Sequence, residues 1–468
     1  MVFSSLIFIC VFLPIVLILH QVVKSMALKN TILIITSLLF YAYGEPIFIF
    51  LVFVSTIANY LFGLAVDNQR QGFRKVMLVL SIVFNVGLLI VFKYTDMILS
   101  SVNSIFRMDL PMANIALPIG ISFYTFQAIS YVVDVYRGLS KSQKNYFNVL
   151  LYISFFPQKI AGPIIKYKDI EHELTKRKVT AAGAADGMRR FVVGLSKKVL
   201  IANTMALVAD GVFDAPLSQV NAPAAWIGAI AYMMQIYFDF SGYSDMAIGL
   251  GKLFGFHFVE NFNYPYHATS IQDFWHKWHM TLSQWFKDYV YIPLGGNRKG
   301  RIRTNINKVI VFFITGLWHG AAWNFVIWGL VHGALLLLED VLPIKKLPVI
   351  IKRAYTLLMV CLTFVLFRAE TLTGGFGIIG RMFAGWSFAA SEVSLFARQM
   401  TPLFMVTLLV AILTCVPHHI KLYRNLINNP RYGKAALHIS YICSYGLLLV
   451  CLLTLSSGAY NPFIYFRF

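Results

Sequence analysis

The chain has 468 residues, of which 58% are hydrophobic and 13% are charged. Soluble domains carry about 25% charged residues, so this composition excludes a water-soluble globule. Its 40 Lys and Arg residues against 20 Asp and Glu residues give a net charge of +20. On so apolar a chain, this excess predicts basic loops beside the anionic membrane lipids of the cytoplasmic leaflet, and no nucleic-acid partner is needed to explain it.

Long apolar stretches run through the whole chain, beginning with residues 2–23. That first stretch lacks a basic leader and a small-residue cleavage site, so we expect it to be retained as a first membrane helix. One crossing takes about 20 helical residues, and the apolar content therefore predicts about 9 to 12 crossings. We predict an all-α polytopic membrane protein, organised as a single domain over residues 1–468.

Several apolar stretches have the wrong length for one simple crossing. Residues 31–43 and 354–367 are short, whereas 225–256 and 309–338 are long. We expect such segments to tilt, to break, or to enter the membrane and turn back. Irregular backbone at membrane depth needs protein or a water-filled cavity around it, so these lengths predict an interior cavity. A cavity favours an enzyme or a transporter over a simple anchor.

Two carboxylates, Asp239 and Asp245, lie within the apolar stretch 225–256. A carboxylate at mid-bilayer costs roughly 2.5–3.5 kcal/mol on insertion scales, so both need partners or a cavity. We expect Ser241 and Gly242, which lie between them, to break the helix. Our interpretation is that the carboxylates line a substrate path. The alternative is a structural role, in which the carboxylates bond to backbone groups that lose their helical hydrogen-bond partners at the break.

Residues 271–299 combine many aromatic side chains with helical spacing. Steps of three and four residues place one set on a single helical face: Trp278, Leu282, Trp285 and Tyr289. Trp275 and His279 fall on an adjacent face. An amphipathic helix this rich in aromatic residues is typical of the lipid–water boundary.

The same segment offers a row of metal-ligating residue types, D-x-x-H-x-x-H, formed by Asp273, His276 and His279. Such a row on one helical face could hold a metal. We predict no metal, because the further histidine-rich elements of membrane di-iron enzymes are missing from the sequence.

A basic run without acidic residues follows the aromatic segment: Arg298, Lys299, Arg301, Arg303 and Lys308. We interpret it as a cytoplasmic loop. The alternative is a contact surface for a phosphorylated cofactor such as coenzyme A.

His319 lies in the stretch 309–338, which contains no Asp, Glu, Lys or Arg. A helix starting at residue 309 would carry it about 15 Å deep, at the bilayer midplane. Desolvation there favours a neutral imidazole, which can accept a proton. Thr315 and Trp323 would share its helical face, and Gly316 and Gly320 would admit a neighbouring helix or an acyl chain. We interpret His319 as a catalytic base; the alternative is a packing histidine bonded to a carbonyl.

Seven motifs resemble the membrane-bound O-acyltransferase family, and within it the alginate O-acetyltransferase (AlgI-like) branch. They cover residues 116 to 333 and the last eight residues. In chain order they are ALPIGISFYTFQAISYVVDVYRG at 116–138, FFPQKIAGPIIKY at 155–167, FDFSGYSDMAIGLGKLFGF at 238–256, NFNYPY at 261–266, DFWHKWHMTLSQWFKDYVYIPLGGNRKG at 273–300, TGLWHGAAWNFVIWGLVHG at 315–333 and NPFIYFRF at 461–468.

The resemblance implies a helical barrel with re-entrant and interfacial helices, in which funnels from both membrane faces meet at a buried histidine. That histidine maps onto His319, and the family's second histidine maps onto His279. Trp275, Trp278, Asp239 and Asp245 are the other expected substrate contacts, together with three candidate oxyanion donors: Trp318, Trp323 and Asn324. Arg298, Lys299, Arg301 and Arg303 are expected near the cofactor entrance.

The resemblance also implies acyl transfer in the bacterial cytoplasmic membrane. The expected donor is acetyl-CoA, which is not bound permanently. The expected acceptor is an exopolysaccharide hydroxyl or an extracytoplasmic acetyltransferase partner, in a complex with polysaccharide synthase machinery. An acyl-histidine intermediate is an alternative mechanism. Alternative functions are D-alanyl transfer toward teichoic acid, peptidoglycan O-acetylation and, from a different class, transport.

Overall fold

The computed structural model describes residues 1–159, 162–458, 460–462 and 464. Every regular element in this part of the chain is a helix, which confirms the all-α prediction. The remaining positions of two predicted motifs, 160–161 in the second and 463 and 465–468 in the last, lie outside the described residues.

Six described helices are long and apolar enough to cross a membrane, which confirms a polytopic membrane protein. They are Ile49–Val66, Gln71–Phe106, Ala181–Phe213, Trp323–Val341, Val349–Arg368 and Gly433–Ser456. A bent pair, Ala390–Gln399 and Pro402–Thr414, with 62° between its helices, gives a seventh span or a re-entrant loop. The predicted 9 to 12 crossings exceed this count, because other apolar helices, including Phe8–Val22 and Met26–Ala42, are shorter.

The first of two compact units comprises residues 1–191 and 246–259. It begins with a π-helical turn at Phe8–Phe12. The helices that begin within it are α1 (Leu13–Val22), α2 (Met26–Ala42), α3 (Ile49–Val66), α4 (Gln71–Leu89), α5 (Thr95–Phe106), α6 (Ile121–Tyr136), α7 (Tyr146–Ser154), α8 (Tyr167–Thr175) and α9 (Ala181–Ser196).

The second unit comprises residues 192–245 and 260–468. The helices that begin within it are α10 (Asn203–Phe213), α11 (Ala222–Leu253), α12 (Ile271–Trp275), α13 (Met280–Phe286), α14 (Gly300–His319), α15 (Trp323–Val341), α16 (Val349–Arg368), α17 (Leu372–Ala384), α18 (Ala390–Gln399), α19 (Pro402–Thr414), α20 (His418–Ile427) and α21 (Gly433–Ser456). π-Helical segments at Lys197–Ala202 and Lys287–Tyr291 continue α9 and α13. The predicted single acyltransferase domain over 1–468 stays a prediction.

Helix α11 runs without interruption for 32 residues, so the predicted break at Ser241–Gly242 is wrong. The glycine serves close packing instead. A Cβ atom at Gly242 would lie 2.7 Å from the carbonyl oxygen of Gly194 on α9. The two backbones approach closely because Gly242 has no side chain.

The uncharged stretch 309–338 is broken, as its length predicted. Helix α14 ends at His319, and α15 begins at Trp323 after extended backbone at Gly320 and Ala322. The two helices pack as a hairpin whose approach depends on glycine. A Cβ at Gly316 would collide with the carbonyl oxygen of Phe325, and one at Gly329 would collide with that of Phe312.

The prediction that 354–367 is short for a crossing is wrong, because α16 extends this stretch in both directions and is long enough to cross a membrane. The helix begins at Val349 and ends at Arg368, and it has 20 residues. Charged residues lie near both ends of this helix, outside the apolar stretch. The length of the apolar stretch is therefore shorter than the length of the helix.

Candidate active site

The two predicted histidines both contact one indole ring in the second unit. His319 is the last residue of α14 and is 7% exposed, and His279 is fully buried before α13. The Trp318 ring centroid lies 4.8 Å from that of His319 and 5.8 Å from that of His279. Residues forty positions apart in the sequence thus come together at the end of the α14–α15 hairpin.

The helix predicted from Asp273 onward is interrupted at its histidines. Ser270 caps α12 by accepting a hydrogen bond from the Asp273 N–H at 2.9 Å, and Asp273 accepts one from the Thr269 N–H at 3.0 Å. This reciprocal capping starts a helix that ends at Trp275. The predicted D-x-x-H-x-x-H face is therefore absent: His276 is exposed, whereas His279 is buried.

His279 has a backbone conformation that favours glycine, with φ of 43°. A non-glycine residue in this left-handed region costs of order 1–3 kcal/mol and persists where the surroundings fix it. Here the backbone N–H of the next residue, Met280, donates to the carbonyl of Asn261 at 2.9 Å. The strain directs the imidazole inward, where its ring contacts Phe240 at 4.6 Å.

The side-chain amide of Asn261 determines which nitrogen of His279 carries the proton. The Thr281 backbone N–H and hydroxyl approach Asn261 Oδ1 at 3.3 and 2.8 Å, and a backbone N–H can only donate. Asn261 Oδ1 is therefore an acceptor. His279 Nδ1 lies 3.1 Å from the same oxygen and must donate to it. The neutral ring thus has its lone pair on Nε2.

Burial keeps the His279 ring neutral. Desolvation lowers the pKa of His279 to about 3, well below its ordinary value of 6.5. Its Nε2 atom has no hydrogen-bond partner among the described residues. A neutral imidazole with a buried lone pair can accept a proton or a hydrogen bond from a substrate.

The His319 ring is surrounded by aromatic side chains from three helices. Besides Trp318, it contacts Trp328 of α15 at 5.0 Å and Phe367 of α16 at 5.3 Å, in both cases edge to face. The residue after Phe367 is fixed by charge: Arg368 pairs with Asp210 at 2.7 Å and with Asp214 at 3.0 Å. The histidine therefore has a rigid apolar environment.

Trp275 reaches a third buried histidine, His332 of α15. Its Nε1–H donates to His332 Nδ1 at 3.2 Å. The Trp275 ring also contacts Phe312 at 5.1 Å and Trp328 at 5.8 Å. The predicted substrate contact is thus the hydrogen-bond partner of a histidine within the hairpin.

The other predicted substrate contacts lie in different surroundings. Trp278 packs in an aromatic cluster with Phe262 at 5.1 Å and Phe364 at 5.3 Å. Trp323 is 53% exposed and does not share a helical face with His319, because α14 ends between them. Asn324 donates through Nδ2 to the carbonyl of Ala369 at 2.9 Å. The roles of these residues in substrate binding stay predictions.

Both carboxylates of α11 have lysine partners from the π-helical segment that follows α9. Lys198 Nζ lies 3.0 Å from Asp239 Oδ1, and Lys197 Nζ lies 2.6 Å from Asp245 Oδ2. Asp239 Oδ2 also accepts the backbone N–H of Ile464 at 2.9 Å. Ion pairing accounts for the burial of both groups, and their place on a substrate path stays a prediction.

The predicted cofactor contacts surround the start of α14, opposite to His319. They are Arg298, Lys299, Arg301 and Arg303, and all four are at least partly exposed. Positive side chains at a helix N-terminus repel the helix dipole, so an anion there would be stabilised. Arg301 and His319 are 18 positions apart on α14, about 27 Å at 1.5 Å per residue. A cofactor that spans both places needs a long arm between its phosphates and its reactive group.

Sequence reasoning did not assign four residues of this site: Asn261, Trp328, His332 and Phe367. Asn261, Trp328 and His332 lie inside the family motifs, which were a signal, but nothing in the spacing of the sequence showed which side chains they would contact. Phe367 carried no signal, because an aromatic residue in an apolar helix is most often part of a core.

Comparison with known proteins gives a consistent set of relatives. The family model described as MBOAT, membrane-bound O-acyltransferase family, matches residues 141–343. The chain is 39% identical over 490 residues to the probable alginate O-acetylase AlgI of Pseudomonas putida, with 100% of both chains covered.

Two further relatives carry different substrate names. The peptidoglycan O-acetyltransferase of Helicobacter pylori is 32% identical, with 100% of this chain and 98% of the relative covered. The teichoic acid D-alanyltransferase of Bacillus subtilis is 32% identical over 48% of this chain and 60% of the relative.

Proposed function

Because the chain belongs to the membrane-bound O-acyltransferase family, in its alginate O-acetylase branch, and is thus a multi-pass membrane O-acyltransferase, we propose that it transfers acetyl groups across the membrane. The donor is acetyl-CoA on the cytoplasmic side of the bacterial inner membrane. The acceptor is a hydroxyl of an exopolysaccharide, or an extracytoplasmic partner protein that passes the acetyl group on.

The observation that carries this proposal is the pair of buried histidines around Trp318. His319 removes the proton of the acceptor hydroxyl as the hydroxyl oxygen attacks the thioester carbonyl carbon. The C–O bond forms, the C–S bond breaks, and the thiolate takes up the proton to leave as free coenzyme A. His279 accepts a hydrogen bond at Nε2 from a neighbouring hydroxyl of the sugar and so orients the acceptor.

The basic side chains at the start of α14 would hold the phosphates of coenzyme A. Their distance from His319 suits a donor whose thioester lies at the end of a long flexible arm. Arg298, Lys299, Arg301 and Arg303 would therefore affect the KM for the donor and leave the KM for the acceptor unchanged. A polysaccharide synthase complex is the partner expected on the acceptor side.

Thiol release by the purified protein in lipid nanodiscs tests this function. With acetyl-CoA and an alginate oligosaccharide, we expect acceptor-dependent thiol that His319→Ala abolishes. The matched control is His276→Ala, because His276 is exposed at the end of α12 and should leave the rate unchanged. Full activity of His319→Ala would overturn the assignment of His319 as the base.

Replacing the donor or the acceptor in this assay distinguishes between the substrates that the relatives' names give. D-alanyl transfer from a loaded carrier protein is disfavoured, since the D-alanyltransferase relative matches only 48% of this chain. Peptidoglycan O-acetylation has full-length support from the Helicobacter relative. Acetylation of peptidoglycan fragments in place of alginate would keep the enzyme class and change the acceptor. Solute flux into liposomes without thiol release would instead favour a transporter.

A further inference from the structure

Two neighbouring side-chain N–H donors of α15, one of them in ring contact with His319, lie buried with no acceptor among the described residues. Trp328 is 1% exposed, and its Nε1 atom has no hydrogen-bond partner among the residues that the structure describes. His332 is fully buried, and the same holds for its Nε2 atom. Buried donors are ordinarily paired, so two neighbouring exceptions need an explanation.

The hydrogen bond from Trp275 makes His332 Nε2 a donor. An indole nitrogen can only donate, so His332 Nδ1 accepts the Trp275 Nε1–H, which lies 3.2 Å away. The neutral imidazole must then carry its proton on Nε2. His332 is therefore held as a hydrogen-bond donor, which is the tautomer opposite to that of His279.

The two donors are close to each other, and the Trp328 ring lies between His332 and the proposed base in a chain of ring contacts. Trp328 and His332 are four residues apart on α15, so they share one helical face. Their ring centroids lie 4.9 Å apart, and the Trp328 ring lies 5.0 Å from that of His319. All three residues belong to the α14–α15 hairpin, whose glycine contacts fix the spacing of the helices.

We propose that Trp328 Nε1–H and His332 Nε2–H form the oxyanion hole, donating to the thioester carbonyl oxygen as negative charge develops on it. Trp275 is a positioning residue that fixes the His332 tautomer. This proposal rests on the proposed acetyl transfer, and it replaces Trp323 and Asn324 as oxyanion donors. The first is 53% exposed, and the second donates to Ala369.

Preorganised donors act on the charge of the transition state, so their loss should lower kcat. Trp328→Phe keeps an aromatic ring and removes the N–H, and we expect kcat for thiol release to fall about 100-fold while the KM for acetyl-CoA changes little. His332→Leu should have a comparable effect, and His332→Gln, which retains a side-chain N–H, should recover part of the rate. Trp275→Phe should give a smaller loss.

The matched control is Trp226→Phe, because the Trp226 indole donates to the Met382 carbonyl at 2.9 Å, away from the hairpin histidines. We expect its kcat to be unchanged. A kcat for Trp328→Phe equal to that of Trp226→Phe would overturn the proposal, since donors that bind only structural water would give this result.

A binding measurement keeps the test independent of turnover. S-acetonyl-CoA is a ketone that retains a carbonyl group, and S-ethyl-CoA is a thioether that lacks one. The wild-type protein should prefer the ketone, and Trp328→Phe should weaken that preference, because one of the two donors to the carbonyl is lost. An unchanged ratio would overturn the oxyanion hole. Failure of the proposed acetyl transfer is distinguishable from failure of the oxyanion hole, because in the first case the wild-type protein would release no thiol.

Discussion

The Oδ1 atom of Asn261 lies 3.1 Å from the Nδ1 atom of His279 and accepts a hydrogen bond from it. The amide is itself fixed, because its Nδ2 atom donates to the Ser244 hydroxyl at 3.0 Å. This network extends from α11 to α13 and leaves the lone pair of the histidine at Nε2. It makes Asn261 a positioning residue for the proposed acceptor site.

Asn261 substitutions should separate hydrogen-bond acceptance from side-chain size. Asn261→Ala frees the His279 tautomer, and we expect kcat to fall about tenfold or more with a raised KM for the acceptor. Asn261→Asp keeps an acceptor oxygen opposite Nδ1 and should retain more activity. Steady-state thiol release at varied acceptor concentration measures both. Equal activity of the two variants would contradict a tautomer-fixing role.

The close packing of the α14–α15 hairpin predicts opposite effects of two glycine substitutions. Gly316→Ala places a methyl group against the Phe325 carbonyl, and overpacking of this kind typically costs about 1–3 kcal/mol. Gly446→Ala, in α21, meets no atom within 4 Å and should stabilise its helix by about 0.5–1 kcal/mol. Thermal unfolding in detergent measures both. A midpoint for Gly316→Ala at or above the wild-type value would refute the close contact.

The Lys198–Asp239 pair should show strong coupling, because both side chains are buried. Removing one partner of a buried ion pair typically costs about 3–5 kcal/mol, since a charge is left uncompensated. We expect Lys198→Met and Asp239→Leu each to lower the unfolding midpoint sharply, and the double variant to recover much of the loss. Additive losses in this double-mutant cycle would mean that the two charges do not stabilise one another.

Burial of His279 predicts a pH dependence of stability. Its pKa of about 3 in the folded protein lies below the 6.5 of an exposed histidine, so the unfolded chain binds the extra proton between these values. The stabilisation is complete above pH 6.5 and decreases as the pH falls below it, by about 2 kcal/mol at pH 5. His279→Asn should therefore lose less stability than the wild type between pH 7 and pH 5. Identical losses in thermal midpoint would show that His279 is protonated in the folded state.

The sequence by itself determined the class of the protein and most of its chemical groups. Composition identified a polytopic helical membrane protein, and the uncharged stretch around His319 together with the motif around His279 pointed to the two central histidines. These signals are local, because hydropathy, charge and motif spacing can be read within a window of about 20 residues.

Only the tertiary structure decided which groups meet and in what protonation state. Helical structure is interrupted next to His279 and next to His319, whereas α11 continues through Gly242. Backbone packing between helices decides where a helix ends, and no local sequence pattern contains that packing. Asn261 and Trp275 fix opposite tautomers of His279 and His332 by hydrogen bonds over 18 and 57 residues of sequence. Such pairings depend on distance in space, so the roles of Trp328 and His332 could be inferred only from the folded chain.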